Sequence, residues 1–248
     1  MISVAESDNY KSATATVTIN VEKAASVIDV LGVVTDYIYT GSLQTINSGA
    51  ALNHTEAELV YSNNTFTTVA EGNGLEVMIS VVESENYKSA TATVTINVEK
   101  ADSVIDVLGV VTDYIYTGSL QTVNSGAALN HTEAELVYSN NTFTTVAEGD
   151  GLEVVISVVE SENYKSATAT VTIAVYPLKV APPVYTETEF VFSGEEIVFI
   201  GADDAYYTVT DGSATEIGSY VAIIELKDTV NFAWEDESFT GSISWSIV

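Results

Sequence analysis

Apolar and polar residues alternate strictly along residues 89–98: Ala90, Ala92, Val94, Ile96 and Val98 fall on one side, Thr91, Thr93, Thr95 and Asn97 on the other. A period of two, rich in β-branched side chains, predicts a strand with one buried face. Residues 75–82 are almost continuous in Val, Ile and Met, which predicts a more central strand. Turn formers separate these runs: Ser62-Asn63-Asn64, Gly72-Asn73-Gly74 and Glu83-Ser84-Glu85-Asn86. One stretch, residues 49–59, reads either as loop or as a short helix with Asn53 as its cap and Glu56 three positions on.

The pattern repeats. The string Asn-Tyr-Lys-Ser-Ala-Thr-Ala-Thr-Val-Thr-Ile recurs around Lys11, Lys88 and Lys165, at a spacing of 77 residues. Residues 24–96 overlay 101–173 with four differences: Ala25/Asp102, Ile46/Val123, Asn73/Asp150 and Met78/Val155. Residues 1–23 overlay 78–100 and differ only at Ala5/Val82 and Asp8/Glu85. A fixed period of this length is the mark of a tandem array. The expected organisation is a remnant of a repeat over 1–23, modules over 24–100 and 101–176, and a divergent C-terminal module over 177–248. In that last module Phe192-Ser193-Gly194 parallels Tyr116-Thr117-Gly118, Gly218–Val221 is aligned on Gly151–Val154, and Asn231-Phe232 on Asn163-Tyr164. The shortened spacing implies one trimmed loop or short element. Pro177, Pro182 and Pro183 read as a stiff junction before it.

Many short strands divided by turns predict an all-β chain of tandem small β-sandwich modules of immunoglobulin-like type, stacked into an elongated rod. A helix within 49–59 would instead favour β-grasp-like modules. The remnant 1–23 carries a terminal strand without a module of its own, and is expected to fray or to pair with an exposed edge of a neighbouring chain.

Composition narrows function mainly by exclusion. The chain has 248 residues, 35 Asp and Glu against seven Lys and no Arg, and a formal net charge of −28. Nucleic acid, a polyanion that needs cationic contacts, is excluded as a partner, and anionic membrane surfaces are disfavoured. A 46% hydrophobic content supports packed cores despite the charge. Without Cys there is no disulfide, thiolate metal site or Cys nucleophile. No leader or membrane-spanning run is visible, and any signal or anchor is expected outside this segment.

Candidate chemistry is sparse. His54 and His131 are one position repeated, a turn or surface role rather than a metal centre. Glu83, Glu85, Glu160, Glu162 and Asp102 cluster near module ends and pose the question of Ca²⁺, against the plainer reading of a solvated acidic surface. Lys88 and Lys165 pose the question of an intramolecular Lys–Asn amide bond, which needs a buried lysine beside a carboxylate. Asn53, Asn63, Asn130 and Asn140 each lie in an Asn-x-Thr sequon. Trp234 and Trp245 are expected in core or edge packing rather than a sugar platform. Catalytic, cofactor-binding and metal residues are expected to be none, and the chain is expected not to be an enzyme.

Tyr39-Thr40-Gly41 followed by Gln44-Thr45, a Gly-rich turn, Asn86-Tyr87 and a Thr/Val terminal strand resemble MBG/YDG-type repeats of bacterial surface proteins. Residues 177–248, with Gly218-Ser219-Tyr220, Leu226-Lys227-Asp228, Trp234 and the closing Ser244-Trp245-Ser246-Ile247, are similar to a short bacterial Ig-like repeat. Glu76 and Glu153 stand where Tyr220 stands, and Phe192 and Phe232 replace tyrosines. The resemblance implies an extracellular, monomeric stalk of a large adhesin-like cell-surface protein. The alternative it allows is a C-terminal module that binds a host protein or glycan.

Overall fold

The computed structural model describes residues 1–200 and 204–248. Apart from two helical turns, the regular structure is β throughout. The chain forms two compact units, one of Met1–Ala101 with Ser161–Lys165, the other of Asp102–Glu160 with Ser166–Val248.

In the first unit, the strand Glu76–Val81 lies between Val60–Ser62 and Ala90–Thr95, both antiparallel to it. Asn97–Glu99 continues the last of these but takes a different partner, Asp36–Ile38, in parallel. The alternation seen in the sequence therefore runs through two strands. Opposite this sheet, Gln44–Thr45 pairs with Thr65–Phe66 and Ile28–Asp29 with Ala51–Leu52. Ile46 and Phe66 from that layer pack against Val77, Ile79, Val94, Ile96 and Val98, forming the core of a small β-sandwich. The edge of Tyr37 meets Phe66 with ring centres 5.6 Å apart.

The second unit repeats this arrangement with the equivalent residues 77 positions on, around a core of Val123, Phe143, Val154, Ile156, Ile173 and Val175. It also holds a second sandwich, in which Gly218–Leu226 pairs with both Ser242–Ile247 and Tyr207–Thr210, and Glu189–Phe190 runs parallel to the terminal strand. The parallel pairing with the terminal strand is thus kept in all three copies. Trp245 is buried there against Phe199, Phe190 and Tyr220.

One open alternative closes and two expectations change. Residues 49–59 hold the short strand Ala51–Leu52 and no helix; the helical turns are α1 (Val69–Gly72) and α2 (Val146–Gly149). Asn53 caps nothing helical: its Oδ1 accepts from Val27 N and its Nδ2 donates to Ala25 O, pinning the first strand of the repeat. The alignment over Gly218–Val221 is one residue out of register, which exchanges faces in a strand. Ala222 and Ile224 are buried where Val154 and Ile156 are, a spacing of 68 that also relates Asn231 to Asn163, whereas Val221 is exposed. Trimming is also in two places: between Gly194 and Ser213, and between Ala214 and Gly218, where a direct link replaces the helical turn. Within residues 1–23, Ile2–Val4 and Ala13–Ala15 form an antiparallel hairpin, and the prolines at the junction flank the paired strand Leu178–Val180.

Candidate functional site

The most elaborate polar constellation is built on the helical turns. In α1, Thr68 is the N-cap, with extended backbone, and its Oγ1 accepts from Glu71 N at 3.2 Å. The Glu71 carboxylate reaches back to Thr67, accepting from its N at 2.8 Å and from its hydroxyl. These donors hold the Glu71 carboxyl below the usual glutamate range. Gly72 closes the turn because a Cβ there would lie 2.6 Å from Val98 and 2.7 Å from the Phe66 ring.

One donor of the first turn still needs a partner, the N–H of Val69. Asn163 Oδ1 accepts it at 2.8 Å. Asn163 sits on the loop Ser161–Lys165, which belongs by sequence to the second repeat and by packing to the first unit. The loop is tied down on both sides: Ala101 N donates to Asn163 O and Lys165 N to Ala101 O, each at 2.9 Å, while Lys100 Nζ donates to Ser161 O at 2.7 Å. Tyr164 meets the edge of Tyr39 at 5.4 Å. Asn163 is only 5% exposed, so its amide is committed to these bonds.

The second unit contains the same device with different surroundings. Thr145 caps α2, Glu148 binds Thr144, and Asn231 Oδ1 accepts from Val146 N at 2.8 Å. Phe232 takes the place of Tyr164, against Tyr116 at 5.6 Å. Asp228 fixes the amide's orientation by accepting from Asn231 Nδ2 at 2.5 Å and from its N at 3.1 Å, leaving Oδ1 to face α2. The side-chain amide of Asn231, followed by its backbone N–H, depresses the Asp228 carboxyl in turn.

The histidines organise turns. His54 Nδ1 accepts from Glu56 N at 3.2 Å, so the neutral ring carries its proton on Nε2 and donates it to Ser26 Oγ at 2.9 Å. Ser26 Oγ then donates to Lys88 O, and the ring stacks on Tyr87 with centres 3.8 Å apart. His131 lies 2.9 Å from Ser103 in the second repeat.

The other nominated residues do not converge. Among the described residues no group of three or more His, Asp or Glu side chains is placed to hold a metal ion. Glu83 is ion-paired with Lys23, whose ammonium lowers its carboxyl; Glu85 and Glu162 are exposed. Lys88 and Lys165 are exposed at the starts of their strands, so neither has the burial an amide crosslink requires. Asn53 and Asn63 both spend Nδ2 on backbone carbonyls, the atom a glycan would occupy, as do Asn130 and Asn140. Trp234 is half-buried against Phe239 and Tyr207, and helps line an open groove with Ile223, Glu225, Thr229 and Ser242.

Sequence reasoning used Asn163 and Asn231 only as alignment landmarks and missed their role. The available signal was that Asn followed by an aromatic persists in the divergent C-terminal segment, where little else does.

No protein-family model matches the chain, and no curated protein matches it. Among solved structures it is similar to a three-Ig fragment of titin (8% identity, over 90% of this chain and 98% of that one, TM-score 0.30). A second titin fragment gives 9% identity over 84% and 99%, with a TM-score of 0.37. The first five immunoglobulin domains of Sidekick-1 give 12% identity over 90% and 61%, with a TM-score of 0.24. These superpositions are loose; the β-sandwich assignment rests on the strand pairing and the buried cores.

Proposed function

We propose that the chain is a spacer: a non-enzymatic stalk segment of an MBG/YDG-type, adhesin-like bacterial surface protein, extracellular and monomeric, which carries a binding region away from the cell. In this reading the modules are 24–100, 101–176 and 177–248, preceded by the terminal hairpin 1–23. The observation that carries it is the recurrence of one structural lock in two places. Asn163 on Val69 and Asn231 on Val146 have the same geometry, although the surrounding sequence has diverged around the second. A device retained for joining, in a chain whose polar clusters otherwise serve turns and caps, fits a mechanical role. The high negative charge fits it too, since like-charged β-modules resist edge-to-edge association.

Small-angle scattering on the chain and on a variant lacking residues 101–177 tests this. The maximum dimension is expected to fall by one module, roughly 30 Å by globular scaling. An unchanged dimension overturns the spacer reading. The groove beside Trp234 favours a second reading, a C-terminal module that binds a host protein or glycan, because an accessible aromatic flanked by Glu225 and hydroxyls suits a polar ligand with apolar faces. Retention on glycan or host-protein arrays, lost on Trp234→Ala, decides for that reading; no retention leaves the spacer.

A further inference from the structure

The C-terminal sandwich departs from the other copies just after Asn231. Val171, which pairs with Val154, stands eight positions after Asn163, whereas Ile243, which pairs with Ala222, stands twelve after Asn231. The added length falls between Trp234 and Ser242, because Phe232–Trp234 keeps the parallel pairing with Leu178–Val180 that Tyr164 has with Ala101. Trp234 itself stands where the second repeat has Ser166.

The insertion is an ordered acidic turn. Asp236 Oδ1 accepts from Ser238 N at 2.9 Å and from Ser238 Oγ at 2.6 Å, and Asp236 O accepts from Phe239 N at 3.0 Å. Glu235 N donates to Val180 O at 2.8 Å. The turn delivers Phe239 to Trp234, with the rings nearly perpendicular and their centres 5.0 Å apart, and Tyr207 lies against the same indole at 5.7 Å. An indole braced in this way is preorganised before anything binds to it.

Trp234 and Phe239 wall a groove of about 670 Å³, the size of a ligand pocket. Ile223, 40% exposed, and Glu225 reach it from the same face of the strand Gly218–Leu226. Glu225 is bonded through its backbone, its O accepting from Thr208 Oγ1 at 3.4 Å, and its carboxylate has no partner among the described residues. The neighbouring lysines are engaged elsewhere: Lys227 Nζ donates to Asp204 O at 2.7 Å, and Lys179 pairs with Glu237 at 3.3 Å. Across the groove the hydroxyls of Thr240 and Ser242 lie 3.4 Å from each other. The site therefore offers a fixed aromatic wall, an aliphatic floor and one open carboxylate.

We propose that this groove receives an arginine side chain from an extended, basic segment of a partner protein, an inference that rests on the binding-module reading of residues 177–248. The guanidinium plane lies on the Trp234 indole and directs its N–H fork onto Glu225, while the methylene stem covers Ile223. Lysine fits less well, because its compact ammonium has no flat face to lay on the ring. A sugar would need several oriented polar partners, and the groove supplies one carboxylate and two hydroxyls that lie against each other. The net charge of −28 draws a basic partner in.

The probe is the capped peptide acetyl-Gly-Val-Arg-Val-Gly-amide, titrated into the full chain while the Trp234 indole N–H is followed by NMR. A saturable shift is expected, and it is lost when citrulline, the uncharged isostere, replaces the arginine. Glu225→Gln, at an exposed side chain that leaves the aromatic packing intact, weakens binding about tenfold, as does Trp234→Ala. Glu76→Gln removes the same charge from the first unit and changes the affinity less than about twofold, which separates the site from general attraction to a polyanion. No saturable shift, equal binding of the arginine and citrulline peptides, or equal effects of Glu225→Gln and Glu76→Gln overturns the proposal. Glycan retention that depends on Trp234, without peptide binding, also overturns it but keeps the binding-module reading; absence of both removes the two together.

Discussion

Asn163→Ala isolates the lock on α1. The substitution removes the acceptor at 2.8 Å from Val69 N at a position only 5% exposed, so water has little access to replace it. Leaving a buried N–H unpaired costs about 1–3 kcal/mol, and losing a helix cap costs about 1. A value near 1.5 kcal/mol follows, which for a cooperative unit of this size is a fall in melting temperature of about 6–12 °C. The internal control is Asn86→Ala. Asn86 has the same sequence neighbours but is exposed, and its side-chain amide bonds the exposed Glu56 carboxylate, so its loss is expected to stay below about 0.5 kcal/mol, as for surface changes generally. Denaturant unfolding of both variants gives the difference directly, and Asn163→Asp, which keeps an acceptor, is expected to recover most of it. Equal midpoints for Asn163→Ala and Asn86→Ala would refute the argument that the amide, rather than the loop's backbone bonds, holds α1.

Other consequences can be checked together. Glu71 and Glu148 have folded carboxyls depressed by Thr67 and Thr144, so their contribution is complete above the ordinary glutamate range and disappears as pH falls through the depressed folded values. The stability gap between the native chain and the Glu71→Gln, Glu148→Gln double variant should therefore be open at neutral pH and close on acidification; a gap constant with pH counts against these bonds. Gly72→Ala forces a methyl into the Phe66 ring and Val98, and should cost about 1–3 kcal/mol by overpacking, measured by denaturant midpoint. Gly49→Ala should be at least as harmful, because Gly49 has φ +97° and its Cβ would lie 2.2 Å from Gly32 O. With a net charge of −28, melting temperature should rise as salt takes the screening length from about 30 Å to about 8 Å, and a fall would show that ion pairs such as Lys23–Glu83 outweigh self-repulsion.

Much of the fold was legible because it is local. The two-residue period of 89–98 determined which side chains face the core, the near-continuous run of 75–82 marked a central strand, and the Asn and Gly clusters marked turns. The 77-residue period determined that whatever one copy does, the next repeats. What the chain pattern left open depends on partners far along the sequence. That residues 90–99 divide between an antiparallel and a parallel neighbour, that Asn163 serves a helical turn 94 residues away, and that Asp228 orients Asn231, follow from tertiary proximity alone. Ile19 and Ile96 make the point most simply. They share their local sequence, yet one is 81% exposed and the other 1%. Alternation chooses the face of a strand, and only the arrival of a second layer decides whether that face leaves water.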